Sequence, residues 1–347
     1  MVLQRPSARI EVGGGDGLGA AAAGVLGGGD LGFPEAAVLR LVIEQSVDTA
    51  HDRVELDLSI LSPLADTAPG SEAKVALGYG DELTDVATAH VLRVDRTPHA
   101  IHLTAYAPSR RLSVVFIARS YVQQSVADVV TDLLESAEVD AGAIEASHDL
   151  AAYHVDGSRS AWEEIHRLAG RTGSQVTSTA DGSVSFGPAP GSSSGSGLGF
   201  AVAAVASAVG VGSGAELRKG ANLLAWRTGV RGATPDWTPA VAAVGAASPF
   251  GPDRWHHLVK QPSAATDPFR VDPAVRSASS ADTETTAFAD AARRGTRTGR
   301  FETLGDPTLR AGGTVTVEDE SYRILRVRHH VDPQRGFRSL LTVEGAE

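Results

Sequence analysis

Six places in this 347-residue sequence carry residue types at spacings that chemistry uses. Gly17, Gly19 and Ala22 in GLGAAAAG satisfy G-x-G-x-x-A, the turn that presents a dinucleotide pyrophosphate to a helix N-terminus. Ser193 in GSSSG, Gly191 to Gly195, stands where G-x-S-x-G holds a nucleophile. Two histidine pairs, His256–His257 and His329–His330, offer imidazole for metal binding or proton transfer. Glu163–Glu164 and Glu318–Asp319–Glu320 offer clustered carboxylates for acid–base work.

Each of these chemistries needs a particular local scaffold, and the flanking sequence argues against it. Gly27, Gly28 and Gly29 would break the helix that a dinucleotide site requires. Ser193 lies in APGSSSGSG, a flexible linker by composition, without the strand and helix of a nucleophile elbow. Adjacent histidines on a strand point to opposite faces, so one metal cannot readily take both. No His-x-His or His-x-x-x-His spacing supplies an alternative. Of the C-terminal pair, one is expected to pack and one to be solvated, with His330 the strand-packing residue. Glu163–Glu164 reads as a solvated helix face and Glu318–Asp319–Glu320 as a turn. The expectation is therefore no catalytic, cofactor-binding or metal-ligating residue, and no cofactor.

Composition narrows the classes further. The 42 acidic against 31 basic side chains give a net charge of −11, which suits neither DNA wrapping nor specific nucleic-acid binding. The absence of cysteine removes disulfide scaffolds, Cys-based zinc sites and thiol nucleophiles. The opening MVLQRPSARIEV has no signal-peptide pattern, and GLGFAVAAVASAVGVG is too short and Gly-rich to span a membrane. A soluble protein made in the cytoplasm is expected.

The elements follow from periodicity. Residues 1–36 hold a short strand, ARIEV, and a Gly-rich segment, 13–32, that reads as a loop or as chain ordered only against a partner. Residues 37–118 contain five or six strand-like runs; in DRVELDLSIL, Val54, Leu56, Leu58 and Ile60 share a face. They predict a small antiparallel barrel or sandwich. Residues 119–188 predict an α+β unit. Ser125 caps a helix striped with Val126, Val129, Val130, Leu133 and Leu134, and Ser160 caps a second with Trp162, Ile165 and Leu168 inward and a stop at Gly173. A hairpin turns at Asp181–Gly182. Residues 189–197 are a Ser/Gly linker. Residues 198–347 return to β-structure, interrupted by a weakly periodic 233–280 insertion read as a long loop, then a short helix in DTETTAFADAARRG. Val315, Val317, Tyr322, Ile324, Leu341 and Val343 are the candidate core of the final strands. The fold class is α+β, mostly β.

The order of these pieces is itself informative. A β-domain closes with RRLSVVFIARSYVQQSVADVVTDLLESAEV. YHVDGSRSAWEEIHRLAGRTGSQVTSTADGSVSFGP follows, and the last stretch is GDPTLRAGGTVTVEDESYRILRVRHHVDPQRGFRSLLTVEG. This series resembles the baseplate hub family of contractile tails, the phage late control D proteins and the hub part of type VI secretion spikes. The resemblance covers about residues 37 to 345 apart from 233–280. Two departures are the Gly-rich insert and the lack of a following spike domain, which would make the puncturing tip another chain.

The resemblance implies two tube-like antiparallel β-barrel domains, separate and superposable, flanking the small α+β domain. It implies a non-enzymatic homotrimer whose ring of six similar units joins a sixfold inner tube to a threefold spike. Its partners would be copies of itself, the inner tube protein, the spike protein and other baseplate components, with membrane contact only through the assembled phage tail or injection particle. The alternative from another class is a tail-associated or secreted hydrolase with a β-sandwich binding domain.

Overall fold

The computed structural model describes residues 6–13, 21–23, 38–62, 64–146, 148–191, 214–231, 240–244, 257–259, 269–272 and 278–346. In chain order the first strands are β1 (Pro6–Gly13), β2 (Ala21–Ala23), β3 (Val38–Ser46), β4 (Arg53–Ser59), β5 (Glu72–Tyr79), β6 (Glu82–Arg96) and β7 (Ala100–Tyr106). A 3-10 turn, Pro108–Ser113, leads into β8 (Phe116–Ser125), α1 (Val126–Ser136), β9 (Ala141–Ile144), β10 (Asp149–Ser160), α2 (Ala161–Thr172), β11 (Ser174–Ser178) and β12 (Val184–Pro188). The remainder comprises β13 (Ala215–Leu217), β14 (Leu223–Val230), β15 (Ala240–Val244), β16 (His257–Val259), β17 (Phe269–Asp272) and the helix Ala278–Arg294. It ends with β18 (Arg297–Leu304), β19 (Thr314–Val317), β20 (Glu320–Asp332) and β21 (Gly336–Gly345).

Strands from both ends of the chain form one 13-stranded sheet, in the order β14-β18-β21-β20-β3-β4-β7-β6-β5-β1-β2, with β19 and β13 branching from β20. This corrects the expectation of two separate barrels. The cause is β20, whose 13 residues are about twice the usual strand length. Its first part pairs with β19 through Glu320–Arg323, and its second part pairs with β3 through Arg326–Val331. β21 runs along its other edge throughout. One strand thus serves both halves, and the chain cannot be divided into two independent sheets.

Each half is nevertheless rolled. Tyr79 of β5 and Phe337 of β21 stand six strand spacings apart in the sheet order, about 29 Å in a flat sheet; their ring centroids are 5.8 Å apart. β13 and β14 lie at opposite ends of the second six-strand run, yet only residues 218–222 separate them, and Leu223 N–H donates to the Arg218 carbonyl at 3.1 Å. Among the described residues no ring of strand pairing closes either roll.

The rolls enclose distinct cores. The first gathers Ile10, Leu41, Ile43, Leu56, Leu58, Leu77 and Leu103, and is completed by Val331 and Phe337 from the C-terminal strands. The second holds Leu217, Phe301, Val315, Val317, Tyr322, Ile324, Leu341 and Val343, which includes all six core residues expected from the sequence. Val54, Leu56 and Leu58 alternate inward as predicted, whereas Ile60 is exposed because β4 stops at Ser59.

The central unit has its own core, formed where α1 and α2 pack against the β8–β10 pair and the β11-β12-β9 sheet. Ser125 and Ser160 each close a capping box, with Asp128 and Glu163 returning the bond to the cap backbone. Val126, Val129, Val130, Leu133 and Leu134 are fully buried. Gly173 ends α2 at φ 67°, the left-handed conformation that glycine adopts without Cβ strain. β11 and β12 form the hairpin predicted around Asp181–Gly182. The 233–280 segment differs from the expected loop: its described parts make a three-stranded sheet, β16-β15-β17. Ala- and Val-rich runs such as AVAAV pair without the polar alternation that would announce a half-exposed strand.

Candidate functional site

The described residues bring the early candidates nowhere near one another. Gly17, Gly19, Ser193 and His256 fall outside them, as does most of the Gly-rich segment. Ala22 lies in β2, paired antiparallel with Glu11, where a dinucleotide fingerprint demands a helix. His257 begins β16. Glu163 serves as the N3 residue of its capping box. Glu164 corrects the expectation of a solvated pair: it is buried, accepting from the Tyr153 hydroxyl at 2.6 Å and facing the Arg167 guanidinium at 3.1 Å. Its neutralising partners come from β10 and the next helical turn, so burial leaves no unpaired charge. Glu318 and Asp319 form the expected turn at φ 47° and 73°, with Glu318 paired to Lys219 and Glu320 to Arg297.

The functional geometry concentrates on the Gly305–Gly313 turn, which is bonded to all three parts of the chain. Gly305 N–H donates to the Phe337 carbonyl at 2.9 Å, so close that a Cβ would lie 2.0 Å from the Phe337 ring. The Tyr79 hydroxyl, from the first roll, donates to the Gly305 carbonyl at 2.9 Å. Burial, followed by the Asp306 charge, raises Tyr79 above the ordinary phenol value and keeps it a donor. Asp306 folds the turn by accepting from Thr308 N–H at 2.9 Å and from its hydroxyl at 2.6 Å. Arg310 reaches the first roll and donates to the carbonyls of Val86 and Asp85. Gly312, at φ 85°, accepts from Gln175 of the central unit at 3.0 Å, and the other end of that amide accepts from Arg323.

His329 anchors this turn from beneath. It is fully buried, and its Nε2–H donates to the Leu309 carbonyl at 3.1 Å while Nδ1 accepts from the Ser339 hydroxyl at 2.9 Å. Desolvation pushes its pKa down to about 4, with Arg310 adding to the shift and the Leu309 bond opposing it. The packing histidine is therefore His329, which corrects the assignment to His330. His330 faces the other side, partly exposed and paired with Asp332 at 3.1 Å. Desolvation lowers its pKa too, against the pull of Asp332. Register decides this: His329 opposes Ile43 and Ser339, and the inward set Val327, His329 and Val331 repeats every second residue.

The outward face of the joint carries a charge ladder across β20, β3, β4 and β7. Arg326 meets Glu44 at 3.5 Å, Glu44 meets Arg53 at 3.3 Å, and Arg53 meets Glu55 at 3.3 Å. Arg40 joins Glu55 to Asp57 at 3.1 Å each, and Asp57 ends on His102 at 2.7 Å. Networks of this kind fix strand register more than they add stability.

This arrangement ties the first roll, the central unit and the C-terminal strands together. Two Ser–His contacts exist among the described residues. Ser339–His329 is sealed in the interior. Ser120–His154, at 2.8 Å, lies open on β8 and β10, with no carboxylate bonded to His154 among the described residues. No group of three or more metal-ligating side chains clusters among the described residues, and none of their helices is long and apolar enough to cross a membrane.

Comparison with protein-family models gives no match, and neither does comparison with curated proteins. Solved structures do match. The tail protein from Neisseria meningitidis MC58 has a TM-score of 0.66 at 13% identity, over 98% of this chain and 96% of that one. The 43 kDa tail protein of prophage MuSo2 from Shewanella oneidensis has a TM-score of 0.62 at 13% identity, over 98% of both chains. The E. coli c3393 protein, a component of the type VI secretion system, has a TM-score of 0.53 at 10% identity, over 89% of this chain and 74% of that one. Across nearly its whole length, this chain has the fold of a bacterial tail protein and a prophage tail protein, and over 89% of its length that of a type VI secretion component.

Proposed function

We propose that the chain is the structural baseplate hub of a phage tail or contractile injection system. It assembles as a homotrimer, and its ring connects a sixfold inner tube to a threefold spike. The observation that carries this reading is one continuous sheet rolled into two halves around separate cores, in a chain that matches tail proteins end to end. Three copies present six rolled halves, a number that suits a sixfold neighbour on one side and a threefold neighbour on the other. The protein has no catalytic task in this reading; its work is to hold a rigid joint under load, which the Gly305–Gly313 turn and the buried His329 serve. It is made and assembled in the cytoplasm, and its partners are itself, the inner tube protein, the spike protein and further baseplate components.

The test is assembly. Native mass spectrometry and negative-stain electron microscopy of the purified chain, alone and co-expressed with tube and spike proteins encoded beside it, should give threefold rings with a central channel. A chain that stays monomeric in both settings overturns the reading.

A further inference from the structure

Below the Gly305–Gly313 turn lies a carboxyl group that the structural role does not use. Asp52 is buried just before β4, where the first roll meets the turn. Its Oδ2 accepts from Gln45 Nε2 at 3.1 Å, and the same Gln45 nitrogen donates to the Val86 carbonyl at 3.3 Å. Arg310 reaches that Val86 carbonyl from the turn, at 3.2 Å. Gln45 is itself 2% exposed, and its Oε1 is buried with no hydrogen-bond partner. A buried acceptor without a donor is costly. A protonated Asp52 carries the O–H that this oxygen lacks, and would convert the contact into a two-bond acid–amide pair. An ionised Asp52 cannot donate and leaves a charge in the interior.

The surroundings favour the neutral form. Burial raises the Asp52 pKa to about 7, against the opposing pull of Gln45, Arg310 and the Ser46 backbone. Arg310 is the facing cation, and Asp85 of β6 and Asp181 of the β11–β12 turn share its charge. His51 and Arg53 flank Asp52 along the chain, and Arg110 approaches His51 from the 3-10 turn. His51 is held below its ordinary value by burial and these two arginines, so it stays uncharged on the alkaline side.

We propose that this junction is a proton-operated latch, tight when Asp52 is protonated and loosened when Asp52 ionises, so that the turn's grip on the first roll relaxes between mildly acidic and mildly alkaline solution. Opening the junction hydrates Asp52 and returns it to its ordinary value of 3.8. Linkage then raises the opening equilibrium by about tenfold from pH 6 to pH 8. The inference is independent of the tail role and goes beyond it.

Hydrogen exchange of the full chain, corrected for intrinsic rates, tests it. Segments 45–52, 84–88 and 308–313 should open about tenfold more at pH 8 than at pH 6. D52N, which keeps the size and gives an amide–amide pair, should remain at the tight, pH-independent level. Equal exchange at both pH values in the unsubstituted protein, or the same rise in D52N, overturns the proposal. A carboxyl 13C titration of the unsubstituted protein is the second arm and does not depend on the folding of D52N. An Asp52 midpoint above pH 6 supports the latch, and one below pH 6 overturns it.

Discussion

His329 and Ser339 stand directly opposite each other on β20 and β21, and their side chains are joined by a 2.9 Å hydrogen bond inside the sheet. The other nitrogen of the same ring holds the Leu309 carbonyl, so one imidazole ties two strands to the turn that crosses the molecule. Removing it should cost more than removing its neighbour. H329A leaves a cavity and an unpaired buried carbonyl, and should lose about 3 kcal/mol in denaturant unfolding. H330A, whose partner is partly solvated, should lose less than about 1 kcal/mol. Equal losses would mean that the burial difference has no energetic weight.

The two buried titrating groups should give opposite pH slopes. The folded pKa of His329 is depressed to about 4, so its stability is complete above 6.5 and is lost as pH falls through 4. That is worth about 3 kcal/mol. Asp52 is raised from 3.8 to about 7, so its stability is complete below 3.8 and is lost as pH rises through 7. That is worth about 4 kcal/mol. In the unsubstituted protein the two nearly offset between pH 4 and 7. Between pH 4 and 6.5, thermal melts should show stability falling with rising pH in H329Q and rising with pH in D52N. Parallel slopes in both variants would contradict these environments.

Glycines offer a test with two signs. G305A forces a Cβ to within 2.0 Å of the buried Phe337 ring and should cost more than about 2 kcal/mol. G170A, inside α2 with nothing within 4 Å of the new methyl, should gain about 0.5–1 kcal/mol. Chemical denaturation of the two variants reads both effects, and a stabilised G305A would refute the close approach.

The capping box at Ser160 predicts a local loss. S160A removes the acceptor for Glu163 N–H and should cost about 1 kcal/mol. Glu163 would lose the hydroxyl and keep the backbone bond at 2.8 Å. Exchange of the first-turn amides of α2 should rise while β20 is unaffected. Unchanged exchange at Glu163 would show that the hydroxyl is not a cap.

How much of this was legible depended on how local the cause is. Caps, the Gly173 stop, the stripe from Val126 to Leu134 and the alternation from Val315 to Val343 are set by residues a few positions apart, and they read directly. The pairing of β20 with β3 joins residues about 285 positions apart, and neither strand's own pattern names its partner. That is why two separate barrels were expected and one sheet formed. Glu164 looked solvated because its partner Tyr153 lies on β10, outside its own helix. His329 and His330 are interchangeable in the string and differ only in register. Nothing in the sequence around Asp52 announces that the fold buries its carboxyl against Gln45, and that burial is what makes the position unusual.

The shared strand also sets an order of events in synthesis. The first core contains Ile10, Leu41 and Leu103, but it is sealed by Val331 and Phe337. A nascent chain that has emerged as far as β7 therefore holds its apolar residues together with the β3 edge unpaired, and waits for more than 200 further residues before that edge is covered. Non-local pairing of this kind is slow, and open edges invite association with other chains. The feature that makes the finished joint continuous thus leaves the β3 edge open to other chains until β20 has been made.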